Sequence, residues 1–448
     1  MKVKELILSL INQDKYAEVR KEIVKINIVD IAHIFAEAEL EREKVLVVFR
    51  ILPKDIAAGV FSYMPNKLQR YIVESITDKE IENILEKLFL DDKIDFLEEM
   101  PSNIVKKVLK NTDEKTRNLI NQFLIYPEDS AGSKMTIEYV DLKKEMTVKQ
   151  AIEHIKATGI DKETIDTCFV IDNNRILEGV ITIRKLILSE DTAIVKDVME
   201  SGVIYVNTYD DQERIASLFK KYDFLSMPVV DNERRLVGII TIDDIVDIID
   251  QENTEDLQKM AAMQPSEEEY LKTNVLILAK NRIAWLLILM ISATFTGNII
   301  RRFEDVLKSV VILNSFIPML MDTGGNAGSQ SSTLIIRGLA LGEIKITDAF
   351  RVLWKEFKVS FCVGLILAVV NFLRVYYLER IDFLIAVTVS ITLFFTVVLA
   401  KIVGGVLPMA AKLFKVDPAI MAGPLITTIV DAVALIIYFS VAKWLLGI

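Results

Sequence analysis

The chain of 448 residues is poor in the side chains that hold soft metals: it has two cysteines and two histidines. Cys168 and Cys362 lie in regions of different character and lack the paired spacing of a zinc or redox motif, so both read as apolar fillers. His33 and His154 fall in amphipathic segments and read as surface residues. Basic charge is also short, with 53 Lys and Arg against 63 Asp and Glu, which argues against a nucleic-acid partner because phosphate binding needs a basic footprint. The opening MKVKELILSL is too brief an apolar run for a signal peptide, so a cytosolic start is expected. No nucleophile with an adjacent base, phosphate-binding glycine loop or metal-hydrolase motif occurs, and no enzymatic activity is expected.

What the chain does have is apolar residues, 52% of the total, unevenly spread. From Val275 onward there are 16 basic and 10 acidic residues, which leaves 37 and 53 before it. An acidic water-soluble part therefore precedes a basic-flanked part suited to lipid.

Two repeats organise the soluble part. LPKDIAAGVFSYMPNKLQRYIV and LFLDDKIDFLEEMPSNIVKKVL match at a shift of 36 residues, pairing Asp55 with Asp91 and Met64-Pro65 with Met100-Pro101. Helical periodicity there predicts stacked helical hairpins in a small superhelix, with each proline in the first turn of a second helix. After YPEDSAGSKMT the pattern changes to short strands and helices. FVIDNNRILEGVITIRKLI and PVVDNERRLVGIITIDDIV match at a shift of 59 residues.

Two such units in tandem resemble a pair of cystathionine-β-synthase (CBS) domains. The resemblance implies a nucleotide-ribose signature, complete in the second unit as Gly238, Thr241 and Asp244 but ending in Lys185 in the first. At most one ATP-type site is therefore expected, with Phe224 stacking on the base.

Five apolar segments follow, at 283–300, 309–336, 359–373, 383–400 and 418–442; the third needs flanking Phe and Tyr to reach the roughly 20 residues of a span. With the amino terminus inside, eleven basic residues fall on inner flanks and six on outer ones, which favours that orientation and places the carboxyl terminus outside. Two features carry chemistry. In the second segment, DTGGNAGSQSS replaces aliphatic residues, and polar backbone at that depth survives only against protein or water. In the last, TTIVDAVALIIYF holds Asp431, with Thr427 one turn earlier on the same face. An intramembrane carboxylate costs a few kcal/mol or more, and no span core offers Lys, Arg or His to pair with it. These oxygen ligands favour magnesium or calcium over softer metals, and sparse carboxylates suit magnesium that keeps its water. A divalent ion entering gains roughly 4.6 kcal/mol per 100 mV.

The order of parts resembles the MgtE magnesium transporters over essentially the full length, through YPEDSAGSKMT, the second CBS unit, YLKTNVLILAKNR, MDTGGNAGSQSSTLIIRGLALGEI and TTIVDAVALIIYF. The resemblance implies an all-α superhelical N-domain (1–127), α/β tandem CBS domains (128–198 and 199–256), a connecting helix (257–281) and a five-span α-helical transmembrane bundle (282–448). It also implies a homodimer in the cell membrane, with Asp431 of both subunits facing a hydrated Mg2+ and Gly325, Asn326, Ser329, Thr427 and Thr428 lining the pore. Ser329 departs from the asparagine common in relatives. Bound magnesium is implied to close the pore through Asp91, Asp95, Glu213, Asp223, Asp244, Asp247, Glu252, Glu255 and Asp256, acids that otherwise repel. The second reading is a CBS-regulated transporter of Co2+, Mn2+ or Ca2+.

Overall fold

The computed structural model describes residues 2–37, 40–266, 270–271 and 273–447; Lys272, counted above with the inner flank, lies outside this set. The chain divides into two compact units, Met1–Ile249 and Asp250–Ile448.

Among the described residues, the first unit begins with ten short helices between Lys2 and Phe123. The 36-residue repeat emerges as two hairpins, Lys54–Ser62 with Asn66–Ser75 and Leu90–Glu98 (α1) with Ser102–Lys110. Pro65 and Pro101 sit at the N-cap, with extended ψ values of 142° and 146°, one position before the helical turn expected for them. Equivalent apolar positions are buried in both copies, Met64 with Met100 and Ile72 with Val108. The acidic pair diverges: Asp55 is exposed beside Lys87 at 3.1 Å, whereas Asp91 is buried.

Each CBS unit contributes a three-stranded sheet: β1 (Asp141–Leu142), β2 (Thr167–Ile171) and β3 (Leu177–Thr182), then β4 (Val206–Asn207), β5 (Ser226–Val230) and β6 (Leu236–Thr241). The first pair in each is parallel and the second antiparallel. The two units exchange edges. Thr136 bridges to Ile239 of β6, and Glu200 to Val180 of β3, so the segment entering each unit completes the sheet of the other. The matched glycines permit this exchange: a Cβ on Gly238 would stand 2.7 Å from the Met135 sulfur, and one on Gly179 2.5 Å from that of Met199. A linear boundary near residue 198 therefore separates the units in sequence but not in space. Helices α2 (Gln212–Tyr222) and α3 (Ile242–Met260) complete this region.

The connector, expected over 257–281 as a helix broken near Pro265, is interrupted around that proline. α3 runs on to Met260, Ala262 adopts φ +53°, and α4 (Val275–Arg302) starts only after Asn274 caps it through Leu276 N at 2.9 Å. The rest of the second unit comprises α5 (Ile317–Ala340), α6 (Ala349–Leu373), α7 (Phe383–Leu413) and α8 (Gly423–Leu446). Of five expected spans, four helical stretches among the described residues are long and apolar enough to cross a membrane: Val275–Arg302, Ile346–Leu378, Phe383–Leu413 and Pro418–Leu446. The remaining one, α5, is 24 residues of unbroken helix whose polar run lowers its hydropathy. The third span takes in flanking Phe and Tyr as expected: α6 begins at Ala349 and continues through a π-turn at Arg374–Leu378. The bundle core includes Tyr438, whose buried hydroxyl donates to Leu313 O at 2.9 Å, as a phenol removed from water requires.

Candidate ion path and acidic control surface

Two faces of α5 separate by size and polarity. Gly324, Gly325 and Gly328 are buried; a Cβ on Gly324 would lie 2.9 Å from Val430 Cγ1, one on Gly325 2.9 Å from Thr427 Cγ2, and one on Gly328 2.7 Å from Ile426 Cγ2. Small residues thus bring the α5 and α8 backbones together. Gly325, expected to line a passage, is instead covered by Thr427 within the same chain. Asp322, Asn326 and Gln330, four residues apart, form an exposed stripe on another face, with Ser329 half-buried beside it.

Asp431 is half-buried on α8, and Asp322 is the charged neighbour whose field reaches it. Thr427 and Thr428 each donate their hydroxyl proton to Pro424 O at 2.9 Å. Their oxygen lone pairs remain free to accept, the orientation useful to a cation or to its water.

Lys401, read from the sequence as an inner-flank basic residue, is enclosed in the bundle, where it pairs with groups other than Asp431. Only 5% exposed on α7, it donates to Gln330 Oε1 at 3.4 Å and Ser331 Oγ at 3.5 Å, while Ser331 Oγ donates to Glu356 Oε2 of α6 at 2.5 Å. Hydropathy alone missed it because two glycines and apolar neighbours follow at once, and the lysine looked like the end of a span.

In the first unit, α1 places its acids against the start of α3. Burial, then the charges of Asp244 and Asp92, raise the Asp91 carboxyl well above the ordinary value. Asp92 is pushed to about 6 by burial and then Asp95 and Asp243. Asp244 is pushed to about 8 by burial and then Asp243 and Asp95, although Thr241 Oγ1 donates to it at 3.2 Å. Glu163, which sequence reasoning missed, is pushed to about 7 by burial and then Asp243 and Asp92. One counter-charge is Lys134, 3.2 Å from Asp95. The structure thus gathers Asp91, Asp95 and Asp244 and adds Asp92, Glu163 and Asp243. Glu213 and Asp223 are not gathered with them: they stand exposed at opposite ends of α2, Asp223 as its left-handed cap with φ +52°. Asp247 is exposed on α3. Among the described residues, no three acidic, histidine or cysteine side chains converge to ligate one ion directly.

For the nucleotide, Thr241 is buried and bonded to Asp244, and Phe224 stacks on Tyr222 with centroids 5.4 Å apart.

In the second unit, Glu252, Glu255 and Asp256 lie on the end of α3. Glu255 is not free: Lys259 Nζ sits 2.7 Å from Glu255 Oε1 and 2.6 Å from Asp417 Oδ2. Burial opposes the Lys259 charge, and the hydrogen bonds to Asp417 and Glu255 hold its pKa above the ordinary value. Burial and then Asp417 raise Asp256. Asp417 also accepts from Ala419 N at 2.8 Å, at the short turn before α8. The contact is tight, since Gly423, at φ +41°, has room for a Cβ only 2.6 Å from Met260 O.

Three family profiles match: the MgtE intracellular N domain at 26–129, the CBS domain at 195–251, and MgtE, a divalent cation transporter, at 317–441. The magnesium transporter MgtE of Thermus thermophilus is 37% identical over 411 residues, 91% of each chain. That of Bacillus subtilis is 33% identical over 437 residues, 97% of this chain and 96% of its own. Among solved structures, the cytosolic domain of the Mg2+ channel MgtE in complex with ATP is 34% identical with a TM-score of 0.51, covering 54% of this chain and 98% of that one. The soluble part of a magnesium transporter is 27% identical with a TM-score of 0.53, covering 56% and 98%. At 33–37% identity over at least 91% of both chains for each of these two transporters, this chain belongs to the MgtE family of magnesium transporters.

Proposed function

We propose that the chain is a magnesium channel for uptake across the cell membrane, working as a homodimer in which α5 and α8 of each copy face a shared ion path. The observation that carries this reading is Asp431, half-buried on α8 within the field of Asp322, with Thr427 and Thr428 half-buried one turn earlier, their hydroxyl protons given to Pro424 O, and Asn326 and Gln330 exposed on the neighbouring helix. Such oxygens suit a magnesium ion that retains its water, because few carboxylates contact it directly. The amino terminus faces the cytosol and the carboxyl terminus the outside, in keeping with the basic flanks.

Internal magnesium closes the path. The regulatory set is Asp91, Asp95, Glu213, Asp223, Asp244, Asp247, Glu252, Glu255 and Asp256. The donor chemistry fits hydrated magnesium: raised carboxyls on α1 and α3 mark negative charges packed at a cost, and a divalent ion between them relieves it. ATP is a second regulatory ligand, held through Thr241, Asp244 and Phe224; to admit its ribose the Thr241–Asp244 hydrogen bond must open.

The test is magnesium flux into liposomes. Asp431→Ala is expected to lower the rate at least tenfold, with cobalt, manganese and calcium competing less well than magnesium. Undiminished flux through that variant overturns the path drawn here.

A further inference from the structure

The outward face of α6 carries an ordered change from charge to aromatic to aliphatic side chains. Arg351, Lys355 and Lys358 recur at helical spacing and are all exposed. Trp354, 52% exposed, lies between them, with Lys358 Nζ 5.3 Å from its ring and Phe357 stacked on it at 5.5 Å. Further along the same helix, Leu365, Ile366, Val369, Val370 and Leu373 are 48–63% exposed, an apolar surface suited to lipid rather than water. Tyr376 and Tyr377 mark the far end. The 22 residue-to-residue steps from Trp354 to Tyr376 rise roughly 33 Å, close to the roughly 30 Å of hydrocarbon in a bilayer. Trp354 therefore stands at headgroup level.

The two ends of this helix differ in their charge balance. At the tyrosine end Arg374 is paired with Glu379 at 3.5 Å. At the tryptophan end Arg351 has Asp348 at 3.5 Å, Glu356 turns inward to Ser331, and among the described residues Lys355 and Lys358 have no carboxylate partner. Two ammonium groups, unmatched by acids and flanking an interfacial tryptophan, are complementary to a phosphodiester whose acyl chains lie along the aliphatic stripe.

We propose that Lys355 and Lys358, with Arg351 and Trp354, form a binding surface for the headgroup of an anionic phospholipid. The lysines bind the phosphate and its net negative charge, the indole sets the depth, and Leu365 to Leu373 cover the chains. Zwitterionic lipid, whose own cation opposes the lysines, binds less well. The inference uses the membrane setting of α6 but not the magnesium path, so its failure leaves the proposed function untouched.

Cys362, exposed one turn beyond Lys358, is a built-in reporter, and the other cysteine, Cys168, is buried. The full chain, labelled at Cys362 with a fluorophore, is placed in phosphatidylcholine vesicles containing an equal fraction of either brominated phosphatidylglycerol or brominated phosphatidylcholine. Quenching is expected to favour phosphatidylglycerol by about fivefold per lysine, the attraction of one basic residue to anionic lipid. The preference should fall with added salt and vanish in the Lys355→Gln/Lys358→Gln variant. Three outcomes overturn the proposal: equal quenching by the two lipids, a preference that resists both salt and the double substitution, and no quenching by either. The last would mean that a second copy of the chain, not lipid, covers this face. The salt series on the wild-type chain decides the matter even if the variant fails to fold.

Discussion

Gly404 of α7 lies so near Gly328 of α5 that a Cβ placed on it would stand 2.2 Å from the Gly328 carbonyl oxygen. No rotamer change relieves a clash with backbone, so the two helices can approach this closely only without a side chain at that point. Gly404→Ala should therefore separate α5 from α7 and cost about 1–3 kcal/mol or more. Gly297→Ala on α4, where nothing lies within 4 Å, should be neutral. Thermal denaturation of the two variants in detergent checks this; equal melting temperatures would refute the close crossing.

Packing of α1 against α3 should depend on pH. Packed, Asp244, Glu163 and Asp92 hold protons up to about 8, 7 and 6; separated, each returns to an ordinary carboxylate value near 4. The packed form thus binds more protons between roughly pH 4 and pH 8, and its stability falls as pH rises through that window. Without metal, spin-label distances between α1 and α3 should be short at pH 5 and longer or broader at pH 8.5. Adding magnesium at pH 8.5 should shorten them again. A distance independent of pH would show that these acids do not repel.

Lys259, bonded to both Glu255 and Asp417, supplies from the chain itself a positive charge that draws the end of α3 to the turn before α8. Lys259→Gln leaves Glu255, Asp256 and Asp417 to repel, so closure should demand a severalfold higher internal magnesium concentration in patch recordings. Unaltered sensitivity would mean the lysine only decorates a contact made by Met260.

The buried Lys401 and the half-buried Glu356 are linked through Ser331. Removing either group leaves the other's charge unmatched, at a greater cost for the buried lysine than for the half-buried glutamate, which water can still reach. Glu356→Gln should cost about 2 kcal/mol or more, and Lys401→Met, of similar volume, about 1 kcal/mol or less. Combining them should restore most of the loss. Additive costs in the double variant would show that the two groups act independently.

Much of the architecture is legible in the sequence because it depends on periodicity and local chemistry. The repeats at 36 and 59 residues, the polar run of α5 and the single carboxylate of α8 are visible in one dimension, since a helix or strand needs only its own spacing of apolar residues to be recognised. Asp431 could be picked out because a charge in lipid is costly wherever the helix lies. Glu163 could not, because its neighbours Asp92 and Asp243 come from distant parts of the chain.

Only the tertiary structure decided what each side chain meets. Asp55 and Asp91 hold the same place in a repeat, yet one is exposed beside a lysine and the other buried among acids. Gly325, a natural candidate for a pore wall, is sealed by Thr427, and Lys401, which reads as a basic flank, is enclosed. Sequence period fixes the face on which a residue falls, but burial and electrostatic energy depend on what another helix brings to that face, and this is set by packing across long stretches of chain.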